Sequence, residues 1–107
     1  MKAFIAVEKN EGIDSKIDNR FARASYFMIY DMESDEILSI EENRFKNGAH
    51  GVGIETGNYI IKSGCKLVIG ATPGPKAESV LRASNIEFYI AENCTAKEAI
   101  ERYRAKA

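Results

Sequence analysis

His50, the one histidine of the chain, sits in the glycine-flanked stretch Asn47-Gly48-Ala49-His50-Gly51. An imidazole there would be exposed and able to reach a metal; its other reading is an ordinary polar loop residue. Cys94 directly precedes Thr95-Ala96-Lys97-Glu98, which has the spacing of a capping box. A helix N-terminus at that point would favour the Cys94 thiolate. A soft sulfur ligand beside His50 would suit iron, and the alternative is a partly buried loop thiol. Cys65, next to Gly64 and an apolar run, reads as a small core residue. The two cysteines have neither metal-site spacing nor the makings of a disulfide framework.

A second group of residues suits anions. Gly70-Ala71-Thr72-Pro73-Gly74-Pro75-Lys76 follows an apolar run, and such a loop could aim backbone N–H groups at an anion from a helix start. It is not a P-loop, because the spacing is short and no Lys-Ser or Lys-Thr follows the second glycine. A plain turn between strand and helix is its other reading. Arg20 and Arg23 could contact the same anion, although Arg23 could equally pin its own loop to a carbonyl or to a carboxylate such as Asp18. Two-metal nuclease chemistry needs several carboxylates gathered on a sheet. Glu8 and Asp31 fall on adjacent strands without a third or fourth acid, and Asp14 and Asp18 read as solvated. With no nucleophile–base pair either, the expectation is a protein that is not an enzyme.

The elements that must position these residues follow from patterning. Phe4 to Val7 reads as a buried strand that exits into a loop from Lys9 to Asn19. Tyr26 to Tyr30 and Ile37 to Ile40 read as an antiparallel hairpin about the polar turn Asp31 to Asp35. Ile54, Asn58 and Ile61 recur at helical spacing, with Gly57 and Tyr59 flanking, until Gly64 stops the helix. Lys66 to Ile69 is a further strand. A helix with Pro75 near its start follows, with Ala77, Val80, Leu81 and Ser84 on its inner face. Ile86 to Ile90 is the last strand, and the final helix turns Ala96, Ala99, Ile100 and Tyr103 inward. The order β-β-β-α-β-α-β-α predicts an α/β domain with a mixed five-stranded sheet and helices packed on it. If the first and fourth strands are neighbours, their exit loops flank a switch point, where ligands of such sheets usually sit.

With 107 residues the chain is expected to form a single domain spanning 1–107. Its 15 basic and 16 acidic residues balance to a net charge of −1, which offers no footprint for nucleic acid. The apolar run at the N-terminus turns polar at Glu8, too short for a signal peptide or a membrane span. A cytoplasmic protein with reduced thiols is therefore expected. The strand edges at Ile37 to Ile40 and Phe88 to Ile90 would suit a monomer or a homodimer.

Several stretches taken together carry a resemblance to a known family. The segment Arg20-Phe21-Ala22-Arg23-Ala24-Ser25 with the strand behind it resembles the His-Phe-Gly-Arg-Ala motif of the dinitrogenase iron–molybdenum cofactor biosynthesis family. The loop around His50 and the Gly70 to Ala77 segment are similar to that family's histidine loop and its glycine–proline segment. The likeness runs over the whole chain, in order. It implies a ribonuclease-H-like three-layer fold and a carrier of NifX or NifB C-terminal type. Such a carrier would bind an iron–sulfur or iron–molybdenum type cluster or a precursor, and would meet protein partners in cofactor assembly. On this reading His50 and Cys94 would be ligands, with Arg20, Arg23, Gly70 and Gly74 cradling an anionic face. The chain departs from the motif where Arg20 stands for His and Ala22 for Gly. A guanidinium stays protonated and cannot ligate iron, but it can pair with an anion. The second reading is therefore a metal-free small-anion or protein-interaction domain that has kept the fold.

Overall fold

Two apolar runs without alternation, Ala3 to Val7 and Phe27 to Tyr30, are buried from end to end, as befits strands covered on both faces. In the computed structural model, which describes residues 1–106, they form the middle of a five-stranded sheet. The strands are β1 (Lys2–Val7), β2 (Tyr26–Asp31), β3 (Glu36–Glu42), β4 (Cys65–Gly70) and β5 (Glu87–Ile90), in the order β3-β2-β1-β4-β5. The β1–β2 and β2–β3 pairs are antiparallel, whereas β1–β4 and β4–β5 are parallel. β3 lies at an edge, partly exposed, and ends in Glu41 and Glu42, charges that discourage further strand pairing.

Three helices cover the sheet: α1 (Val52–Lys62), α2 (Pro75–Ala83) and α3 (Ala96–Ala105). Register assigns their sides, because successive side chains leave a strand on opposite faces. Phe4 and Ala6 stand opposite Ile29 and Phe27 on one face. There the Phe4 and Phe27 rings lie 4.8 Å apart, and both meet Tyr59 of α1, at 6.3 and 5.4 Å. Tyr89 points from the other face and meets Tyr103 of α3 at 5.5 Å. The result is three layers, with α1 and α2 on one side and α3 on the other. Phe4 is fully buried, so truncating it to alanine would cost about 3–5 kcal/mol.

The inner face of α1 differs from the one that hydrophobic spacing predicts. Val52, Thr56, Gly57 and Ile60 are buried, while Ile54 is 41% exposed. The cause is the contact with α2. A Cβ on Gly57 would come within 3.0 Å of Val80 Cγ1, and one on Gly53 within 3.4 Å of the Ala77 amide nitrogen. Two glycines one turn apart let the helix backbones approach closely, and that approach, not the bulk of Ile54 and Ile61, sets the rotation of α1. Gly64, with φ 78°, ends the chain's turn out of α1 as expected.

The loop after β1 folds back over the end of the sheet. Val7 bridges Ile17 and Lys16 bridges Thr95. The Asp18 amide donates to the Ala6 carbonyl at 3.0 Å, and the Ile17 amide to the Cys94 carbonyl at 2.9 Å. β1 and β4 are neighbours, but Ile17 sits over their carboxyl ends. A Cβ on Gly70 would stand 3.3 Å from Ile17 Cγ2, and Gly70 itself has φ 137°. The space at the switch point is therefore filled by the chain's own isoleucine. No helix among the described residues is long and apolar enough to cross a membrane.

Candidate functional site

The site begins with a carboxylate that the sequence reading places in solvent. Asp18 is buried, its side chain only 3% exposed, and all four of its near partners are donors. Its Oδ1 accepts the Arg20 amide at 2.9 Å and Arg20 Nε at 3.0 Å. Its Oδ2 accepts Arg20 Nη2 at 2.7 Å and the Ser25 amide at 3.1 Å. Burial alone would raise the Asp18 carboxyl, but the hydrogen bonds from Arg20 and Ser25 and the Arg20 charge outweigh it and hold the carboxyl below its ordinary range. The fork fixes Arg20 with its Nη1 free of protein partners among the described residues.

Beyond Arg20 the chain makes a 3₁₀ turn over Phe21–Arg23. Phe21 has φ 50°, a left-handed conformation that costs an L-residue about 1–2 kcal/mol. Burial of its ring edge-on to Phe4, with centroids 5.7 Å apart, offsets that strain. Arg23 does not meet Asp18; its Nη1 donates to the Lys46 carbonyl at 2.9 Å, the loop-pinning role weighed from sequence. A second clip is Asn43, which sequence reasoning overlooked. It is buried, its Nδ2 donates to the carbonyls of Ala22 and Ala24 at 2.8 Å each, and its Oδ1 accepts the Phe45 amide at 2.8 Å. Asn43 thus ties the Arg20 turn to the loop that carries His50.

These clips frame an open cavity of about 550 Å³ between the Arg20 turn and the starts of α1 and α2, beside the switch point that Ile17 fills. One wall is Arg20, Ala22 and Arg23, another runs from Ala49 to Gly53, and the third from Gly74 to Ala77. The second and third walls are the first turns of α1 and α2, brought side by side by Gly53 and Gly57. Their cap positions are Gly51, at φ 71°, and Gly74, and neither helix start has a side-chain cap. Pro75, first in α2, has no N–H to lose. A Cβ on Gly74 would meet nothing within 4 Å, so its absence leaves room at the wall. Arg20, Arg23, Lys76 and His50 line the cavity, and no carboxylate or thiol does. Two helix N-termini together with three cations make a surface suited to negative charge.

The residues singled out from sequence divide. Arg20, Arg23, His50 and Gly74 share the cavity. Gly70 does not line it, because its role is the close approach of Ile17. Cys94 does not line it either: it is buried on the Ile17 side, and burial raises its thiol rather than the helix start lowering it. Cys65 is buried too, its thiol pushed up to about 11. The acids of the nuclease reading lie apart. Asp31 faces Lys2 across the β1–β2 ladder, at the far end from Glu8, and its Oδ1 accepts the Glu33 amide. Among the described residues no three His, Cys, Asp or Glu side chains gather closely enough to hold a metal ion.

A mixed sheet between two helical layers, with a basic cavity at two uncapped helix starts, makes this a small three-layer α/β domain with an anion-suited pocket at one end. The chain belongs to the dinitrogenase iron-molybdenum cofactor family, whose pattern matches residues 1–106. An uncharacterised protein of Methanocaldococcus jannaschii is 33% identical over 103 residues, 94% of this chain and 83% of its own length. Among solved structures, the apo form of the orange protein from Desulfovibrio gigas superposes with a TM-score of 0.87 at 27% identity, covering 96% of this chain and 86% of that one. A Thermotoga protein ascribed to NifB superposes at 0.80 with 31% identity, over the same shares of the two chains.

Proposed function

We propose that this domain is a non-enzymatic carrier that binds an anionic metallocluster of the iron–sulfur or iron–molybdenum type, or a precursor of one, and hands it on during cofactor assembly. The observation that carries the reading is the meeting of two uncapped helix starts with Arg20, Arg23, Lys76 and His50 in one open cavity. Membership of a family described by that cofactor supports it. The donor set fits cargo better than a resident group. One imidazole gives a single metal bond, and the guanidinium and amide groups hold charge without entering the coordination shell, so the cluster keeps its own ligands and can leave. Gly74 lets an anion approach the α2 backbone. The layer order reads as ribonuclease-H-like, without the gathered carboxylates of a nuclease.

The alternative is a metal-free domain for a small anion or a protein partner. It draws on Arg20, which stands where the family motif has histidine and which Asp18 locks as an anion contact. Anaerobic titration with a reconstituted iron–sulfur cluster, read by visible absorbance and metal content, separates the two. Stoichiometric binding is expected, weakened at least about tenfold in His50→Ala. Wild-type protein that stays colourless under these conditions would leave the small-anion reading standing alone.

A further inference from the structure

The two arginines of the cavity are held in opposite ways. Arg20 commits its side edge, Nε and Nη2, to the buried Asp18 carboxylate, and Nη2 also donates to Ser25 Oγ at 3.1 Å, so only Nη1 is left. Arg23 is pinned from the other end. Its Nη1 donates to the Lys46 carbonyl at 2.9 Å, and its Nε–Nη2 edge has no protein partner among the described residues. That edge can hold two oxygens of one anion at once, as the same edge of Arg20 does with Asp18. No carboxylate of the chain lines the cavity to satisfy it, and Lys76 and His50 add further donors there.

We propose that the cavity is a phosphoryl site, and that its ligand is a small phosphate monoester whose phosphoryl oxygens take the free edge of Arg23. The proposal rests on the small-anion alternative, and it needs neither a metal nor a second chain. Oxygen count favours phosphoryl over carboxylate. The free edge of Arg23 occupies both oxygens of a carboxylate, whereas a phosphoryl group keeps a third for Arg20 Nη1 or the Lys76 ammonium. Charge favours it too. A phosphate monoester carries about −1.5 to −2 at neutral pH, which suits three cations beside two uncapped helix starts better than a single charge does. Size points to an ester. The cavity, of about 550 Å³, falls in the range of roughly 300–1,000 Å³ that holds small organic ligands. Ala22, Ala49 and Pro75 give an uncharged body a place beside the phosphoryl group.

The test is calorimetry on the full chain without metal, with glycerol 3-phosphate, inorganic phosphate and, as the matched carboxylate, glycerate. Glycerol 3-phosphate should bind one per chain, at least about tenfold tighter than glycerate, and inorganic phosphate should displace it. Arg23→Lys keeps the charge but loses the two-oxygen edge, and should weaken binding at least about tenfold. Lys76→Gln, at an exposed position outside the Asp18 and Asn43 clips, should weaken it about threefold with the unfolding midpoint unchanged. Equal affinity for the phosphate ester and glycerate would overturn the proposal. So would wild-type affinity in a folded Arg23→Lys or, should that variant not fold, in Lys76→Gln. Inorganic phosphate bound more tightly than the ester would overturn the monoester and leave a free oxyanion as occupant. A chain that takes up an iron–sulfur cluster but no phosphate would overturn the phosphoryl site and leave the carrier standing. Phosphate binding by a chain that takes up no cluster would support the site and remove the carrier.

Discussion

At the start of α3, Thr95 Oγ1 accepts the Glu98 amide at 3.1 Å, and Glu98 Oε1 accepts the Thr95 amide at 2.9 Å. At the starts of α1 and α2 the cap positions are Gly51 and Gly74, and no side chain takes up the free amides. All three helices face the same demand, because the first amides of any helix have no partner within it. The α3 start lies under the folded-back loop, with its Ala96 amide on the Ser15 carbonyl at 2.8 Å, and is satisfied from within. The other two starts open on the cavity, where a bound anion can do the same work. The contrast teaches that a missing cap is informative when it recurs at two neighbouring helices and the surrounding side chains are cations.

The frame around the open starts is tied by buried hydrogen bonds although the starts are bare, and the largest effect should come from removing it. Asn43→Ala leaves the Ala22 and Ala24 carbonyls and the Phe45 amide without their partner. Chemical denaturation should register a loss of about 3 kcal/mol, with cluster binding weakened as the two loops part. Next comes Asp18. Its folded carboxyl titrates below the unfolded value of about 3.9, so its contribution is fully present above that value and is lost as pH falls through the folded one. Asp18→Asn should therefore be less stable than wild type by about 2 kcal/mol at neutral pH, with the gap closing in acid. Urea titrations across that range would reveal a pH-independent gap if the carboxylate had no such role.

Two smaller substitutions set the capped start directly against the open ones. Thr95→Ala should lower stability by about 1 kcal/mol and leave cluster titration unchanged. Gly74→Asp should do the reverse. Its backbone, at φ −68° and ψ 166°, suits a capping side chain, so α2 should gain about 0.5 kcal/mol, while the added carboxylate in the cavity abolishes cluster binding. Should Gly74→Asp bind as wild type does, the open starts would be incidental.

Much of this was legible in the residues. The α3 capping box is local, three residues apart, and its spacing alone identifies it. The hairpin and the buried strands follow from runs of apolar and β-favouring residues. The orientation of α1 was not legible, because it depends on how close α2 comes, and Gly53 and Gly57 reveal that only once Ala77 and Val80 are beside them. Asp18 looked solvated because it falls in the polar loop that follows β1. What buries it is the return of the loop onto β1, a long-range event. Asn43 gave no signal, since its three partners lie up to 21 residues away. The Asp-x-Arg spacing of Asp18 and Arg20 could have suggested the fork, but not its burial.

The placement of the two thiols has a further consequence. Both Cys65 and Cys94 are buried, and burial keeps both protonated at neutral pH. Sulfenic acid formation and mixed disulfides start from an accessible thiolate. The two thiols are thereby shielded from peroxide and from stray sulfur: in air the folded chain should keep both cysteines reduced, and they should react with a thiol reagent only on unfolding.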